Sequence, residues 1–126
     1  MRLLIAGSRT IHPNYSFLMN CIQLHSISDI SEIVSGGASG VDYEGEHFAS
    51  HHEIPVRKFP ANWDTHGKAA GPIRNREMAE YADCLLLIWS GDSPGSKNMK
   101  AEMMKLNKPI YEVVLKDYNV KENQTK

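Results

Sequence analysis

Glu32–Ile33–Val34–Ser35–Gly36–Gly37–Ala38–Ser39–Gly40–Val41–Asp42 is the stretch whose reading decides the fold. It begins as a short apolar strand, Glu32–Ser35, and passes through a turn built of glycine, alanine and serine. It leaves as a helix over Val41–His51, where Val41, Gly45, Phe48 and Ala49 share one face at i, i+4, i+7 and i+8. A strand feeding a glycine-rich turn and then a helix is the first half of a βαβ unit. Glycine admits positive φ and lets backbone amides come close to a ligand. The helix start adds unpaired N–H groups and a partial positive charge. Ser35, Gly36, Gly37, Ala38, Ser39 and Gly40 therefore suit an anion such as a phosphate. The same residues also describe a tight turn with a serine cap. Neither a P-loop string nor GxGxxG is present.

The alternation continues on both sides. Arg2–Ala6 reads as a near-continuous apolar strand of the kind buried in a parallel sheet. Asn14–His25 reads as a helix with Phe17, Cys21 and Leu24 on one face. Pro55–Phe59 is a third strand, and Pro60–Pro72 is a long polar segment without periodicity. Ile73–Ala82 is a helix with Pro72 near its first turn. Leu85–Trp89 is the most hydrophobic strand, Gly91–Ser96 a loop, Lys97–Leu106 a helix burying Met99, Met103 and Leu106, and Ile110–Val114 the last strand.

This order predicts an α/β fold: a Rossmann-like three-layer sandwich with a mostly parallel central sheet of about five strands. One domain is expected over residues 1–115, with a polar and flexible tail over residues 116–126. Right-handed crossovers place the loops Gly7–Pro13, Ser35–Gly40 and Ser90–Ser96 at one sheet edge, where such sheets bind ligands.

Composition narrows the function. The 126 residues carry a formal net charge of −1, with 41% hydrophobic and 23% charged residues. Nothing in that balance draws the chain to nucleic acid or to an acidic membrane surface. Cys21 and Cys84 sit among apolar neighbours and read as small core residues. His51 and His52 are adjacent, point apart on a helix and make a poor chelate, so no metal site or cofactor is expected. Leu3–Ala6 is too short for a signal sequence or a span, so a cytoplasmic protein is expected.

Several further residues bear on chemistry. Gly7, Ser8 and Arg9 follow the first strand, and the Arg9 fork could pair with a phosphate or simply lie on the surface. Gly95 and Ser96 repeat the glycine–serine pattern before another helix. The segment Pro60–Arg76 is long for so small a domain and carries Trp63, Lys68, Arg74 and Asn75. Lys68 and Arg74 suit a second phosphate or a ribose-phosphate. Trp63 either stacks on a base or covers the sheet edge. Asp42 either complements the helix dipole or accepts ribose hydroxyls, while Glu44, Glu46 and Arg76 read as solvated.

Gly7–Ser8–Arg9, the Ser35–Asp42 string, Trp63–Asp64 with Gly67–Lys68–Ala69–Ala70–Gly71–Pro72–Ile73–Arg74–Asn75, and Gly95–Ser96 before a Met-bearing helix occur in one order. The chain resembles the SLOG superfamily, in its YspA-type, YpsA-related branch of small stand-alone domains found in bacteria and phages. The resemblance implies a Rossmannoid fold and a nucleotide-type ligand, and relatives with this fold are often oligomers, so a homo-oligomer is expected. The superfamily includes LOG phosphoribohydrolases, DprA-type single-strand-DNA binders and ligand sensors. Relative to the LOG strings, Arg74–Asn75–Arg76–Glu77–Met78 keeps the arginine and the methionine. Gly95–Ser96 takes the Gly–Thr place, and Met99 stands where the catalytic glutamate would be.

Three functions follow as expectations. The first is binding or sensing of a nucleotide-like ligand. The second is an N-glycosidase acting on a nucleoside monophosphate or ADP-ribose-type compound, with Arg74, Asp42 and Glu102 as its catalytic candidates. The third, single-stranded nucleic-acid binding, is disfavoured by the charge balance and the lack of interleaved aromatics.

Overall fold

The computed structural model describes residues 1–116. The expected tail lies outside the described residues except for Lys116. The strands are β1 (Arg2–Gly7), β2 (Glu32–Ser35), β3 (Val56–Lys58), β4 (Cys84–Trp89) and β5 (Ile110–Val114). The helices are α1 (Tyr15–Leu24), α2 (Val41–His51), α3 (Trp63–His66), α4 (Ala70–Tyr81) and α5 (Pro94–Lys105). All four strand pairings are parallel, in the order β3-β2-β1-β4-β5. The sheet is fully parallel, five-stranded and Rossmann-like, as the strand–helix alternation predicts.

Burial on both faces explains why the central strands read as unbroken apolar runs. Leu3, Ile5, Leu86 and Ile88 face α1 and α2, together with Ile11, Leu18, Val41 and Phe48. Leu4, Ala6, Leu85, Leu87 and Trp89 face α4 and α5, together with Met78, Met99 and Met103. The α2 face of Val41, Gly45, Phe48 and Ala49 is buried as its spacing predicts. Cys21 and Cys84 are buried free thiols, and burial pushes the Cys84 thiol up to about 11.

Three local readings change. In α1 the buried residues are Leu18, Cys21 and Ile22, whereas Leu24 is 82% exposed. Asn14 caps α1 by accepting from the Phe17 amide at 2.8 Å, and His25 ends it. Positive φ at Ser26 then turns the chain, and Ile27 enters the core in place of Leu24. The polar segment 60–72 contains α3, a short 3₁₀ turn and the start of α4, with Pro72 at the third helical position. Helix α5 begins at Pro94, not Lys97: Ser93 caps it by accepting from the Ser96 amide at 3.3 Å, and Pro94 fits the N1 position. Leu106, expected in the core, lies just past the helix and is exposed.

Two turn glycines differ in what fixes them. Gly40 has φ 77° and ψ −130°, and a Cβ there would lie 2.4 Å from the Ser8 and Arg9 carbonyl oxygens. Gly37 has φ 76° with open space where its Cβ would be. The β1 loop therefore lies directly against Gly40 and not against Gly37. Gly40→Ala is expected to cost about 3 kcal/mol, combining strain and collision. Gly37→Ala is expected to cost only about 1 kcal/mol. Urea denaturation of the two variants measures both, and equal losses would refute this account of the turn.

Candidate functional site

The sheet reverses its winding between β1 and β4, and open α/β sheets bind ligands beyond the carboxyl ends of strands at such a point. A cleft of about 510 Å³ lies there. Its floor is Ala6, Gly7 and Ser8 from the end of β1. The Ser8 amide donates to the Ile88 carbonyl at 3.2 Å, and the Ser90 amide donates to the Ser8 hydroxyl at 3.3 Å. The loops after β1 and β4 are thus tied at the base of the cleft.

The start of α5 forms one wall, through Ser93, Pro94, Gly95 and Ser96. Pro94 has no N–H, and the Ser96 amide is taken by the Ser93 cap. The Gly95 amide has no intrahelical acceptor, as for any second residue of a helix. Ser96 is 4% exposed, and its hydroxyl is buried without a hydrogen-bond partner among the described residues. An unpaired buried hydroxyl costs about 1–3 kcal/mol, so one on a cleft-lining residue at a helix start is a specific signal.

Helix α4, packed beside α5, contributes Arg74, Asn75 and Met78 to the lining. Arg74 Nη1 donates to the Gly36 carbonyl at 2.7 Å and to the Phe59 carbonyl at 3.4 Å, while Nε donates to Asn75 Oδ1 at 3.0 Å. Asn75 Nδ2 donates in turn to the Gly95 carbonyl at 3.3 Å and to Asn98 Oδ1 at 2.9 Å. This buried asparagine joins α4 to α5 and sets the aim of the guanidinium. Burial, and then the neighbouring Arg9 charge, lower the Arg74 pKa against the opposing pull of Asp42.

The Ser35–Gly40 turn is more self-contained than its composition suggests. The Gly37 amide donates to Ser35 Oγ at 3.0 Å, the Ala38 amide to Asp42 Oδ2 at 3.3 Å, and the Val41 amide to the Ser8 carbonyl at 3.2 Å. Ser35 Oγ donates to Glu46 Oε2 at 2.7 Å. Glu46 also pairs with Lys58 at 3.2 Å and Glu44 with His12 at 3.4 Å, so neither is merely a solvated helix face. Three amides that could have met a phosphate have partners inside the protein. Asp42 is buried and lines the cleft, and burial raises its carboxyl from 3.8 to about 6. The Ala38 amide, the Arg74 charge and the Gly36 amide oppose that rise, and Glu46 adds to it.

Gly7, Ser8, Arg9, Ala38, Asp42, Arg74, Asn75, Gly95 and Ser96 meet at this cleft. Gly36, Gly37, Ser39 and Trp63 border a second, adjoining cleft instead. Ser35 and Gly40 hold the turn in shape, and Lys68 borders neither cleft. Glu102 also borders neither; it is buried and pairs with Lys105 at 3.3 Å, while Arg76, 3.9 Å from it, is exposed as its position predicts. Thr10, Ser90, Asp92, Ser93 and Pro94 join the main cleft from the two loops that the sequence places at this sheet edge, although none was named as a candidate site residue, and Met78, the methionine retained in the resemblance, joins it from α4. Ser93–Pro94, an N-cap followed by proline, was the available signal. Met99 lines the cleft as an apolar wall where the resemblance would place a glutamate.

Comparison with known proteins bears on this geometry. The Gene 61 protein of Mycobacterium phage D29 is 30% identical over 117 residues, covering 86% of this chain and 93% of that protein. No solved structure matches the chain. The family described as YspA, cpYpsA-related SLOG matches residues 1–66, which run from β1 through α3. Over that span lie the β1 turn, the glycine-rich turn and Asp42, and on these matches the chain belongs to the YspA, cpYpsA-related SLOG family.

Proposed function

We propose that this domain binds a nucleotide or nucleotide-derived phosphate ligand in the cleft between the ends of β1 and β4. The observation that carries the reading is the buried, unpartnered hydroxyl of Ser96 at the start of α5, a residue that lines the same cleft as Arg74. A phosphate here would accept from Ser96 Oγ and the Gly95 amide, and would balance the Arg74 and Arg9 charges. Asp42 would meet the ligand as an acceptor, suited to sugar hydroxyls. Met78, Met99 and Ala6 would give an apolar surface for a base or a ribose face.

One observation favours a second reading, the N-glycosidase. Asp42 is a buried cleft carboxyl with a raised pKa beside an arginine, a combination found at catalytic sites. Asp42 is the only one of the two candidate acids that the cleft contains, since Glu102 lies outside it. Release of free base from nucleoside 5′-monophosphates, lost in Asp42→Asn and kept in Glu102→Gln, would establish it. Binding without turnover would leave the binding reading alone.

Ser96→Ala separates ligand binding from architecture. It removes an unsatisfied buried hydroxyl, so the free protein is expected to gain about 1 kcal/mol in urea denaturation. Calorimetry with nucleoside 5′-monophosphates is expected to show about a tenfold loss of affinity for the same variant. A variant that loses stability and keeps its affinity would contradict the proposal.

Asp42 gives a pH dependence of defined sign. Its folded pKa lies above the unfolded value, so the unfolded chain ionises first as pH rises. Its contribution is present below pH 3.8 and is lost as pH rises through about 6. Relative to Asp42→Asn, the wild type is expected to lose up to about 3 kcal/mol across that window. Parallel stability curves for the two proteins would exclude this ionisation behaviour.

A further inference from the structure

Beside the main cleft lies a second one of about 360 Å³, bordered by Gly36, Gly37, Ser39, Pro60, Ala61 and Trp63. The two clefts adjoin, because Arg9, Ala38 and Arg74 line both. Each is large enough for a small organic group.

The boundary between them is where positive charge collects. Arg9 lies near enough to Arg74 for its charge to disfavour the Arg74 guanidinium. Neither arginine makes an ion pair within 4.0 Å among the described residues. The carboxylates Asp42 and Asp92 line the main cleft only, and the second cleft carries guanidinium groups and no carboxylate. Asp42, the carboxylate whose charge acts on Arg74, lies on the main-cleft side, so the second-cleft side of the boundary presents guanidinium groups without a carboxylate and suits an anion.

The far side of the second cleft offers a flat apolar surface. Trp63 is 54% exposed, and its ring tip packs over Gly71 at the start of α4, where a Cβ would lie 3.6 Å away. Asn62 caps the short helix that carries it, accepting from the Thr65 amide at 3.1 Å. A ring held in this way can stack on a base or on a sugar face.

We infer that the two clefts form one elongated site for a ligand whose two nucleoside- or sugar-sized arms are joined through a diphosphate. The linking diphosphate extends from the start of α5 to Arg9 and Arg74 at the boundary. One arm fills the main cleft, and the other rests against Trp63. This deepens the proposed nucleotide binding and rests on it: a mononucleotide would satisfy that reading while leaving the second cleft empty.

Calorimetry on the full chain tests the inference. AMP, GMP, CMP and UMP are each compared with a diphosphate sugar of the same base: ADP-ribose, GDP-mannose, CDP-glucose and UDP-glucose. For the base that the main cleft accepts, the diphosphate sugar is expected to bind about tenfold tighter or better, because its second arm binds in an already tethered state. Trp63→Ala is expected to abolish that gain and to leave monophosphate affinity unchanged. Its thermal unfolding, compared with the wild type, checks that the fold is retained. Equal affinity for monophosphate and diphosphate sugar overturns the inference and leaves the proposed function standing. A gain that survives Trp63→Ala overturns the placement of the second arm. Failure of every monophosphate to bind at millimolar concentration overturns the proposed function itself.

Discussion

The pairing of β1 with β4 is the constraint on which the rest of the structure depends. Five Cα partners join the two strands, from Leu3 with Cys84 to Gly7 with Ile88. Both strands are buried on both faces, so their register cannot slip without moving apolar side chains between layers. Because β2 and β3 extend to one side of this pair and β5 to the other, the crossovers diverge at its carboxyl end. The cleft is the space left by that divergence. Its chemistry comes from what ends there: the β1 loop, the start of α5 and the inward face of α4.

Polar contacts stabilise the cleft in a way that apolar packing alone would not. Arg74 is anchored on the Gly36 and Phe59 carbonyls, and Asn75 ties Arg74 to the Gly95 carbonyl. A site held by several such bonds is organised before a ligand arrives, which lowers the cost of binding. Asp42 has the opposite effect within the glycine-rich turn. It takes the Ala38 amide and places a carboxyl where a phosphate would otherwise approach. The turn that looks most like a phosphate cradle is therefore partly filled by its own helix, and α5 holds the unsatisfied donors.

Much of this was legible in the sequence, for physical reasons that can be named. Parallel strands buried on both faces must be continuous apolar runs, and Leu3–Ile5 and Leu85–Trp89 are such runs. The α2 stripe was legible because Val41, Phe48 and Ala49 keep a helical period. Helix α4 was partly hidden, because its buried residues are Ala70, Asn75, Met78 and Ala79, and a polar side chain breaks the apolar period. Leu24 and Leu106 misled because each stands at a helix end, where the chain turns away and the side chain loses its neighbours. Glu102 and Lys68 were plausible by residue type and order, but helical phase and turn geometry carry them away from the cleft. Which amides of the glycine-rich turn are engaged depends on three-dimensional contacts with Ser35, Asp42 and Ser8. Composition alone could not reveal that.

The central claim is that phosphate is bound by the start of α5 and not by the glycine-rich turn. Backbone amide NMR during titration with the tightest-binding nucleoside monophosphate tests it most directly. The account predicts that the largest shifts fall on Gly95, Ser96 and Lys97, with smaller ones at Ser8 and Arg9. Dominant shifts at Gly37, Ala38 and Ser39, with the α5 amides unmoved, would contradict it.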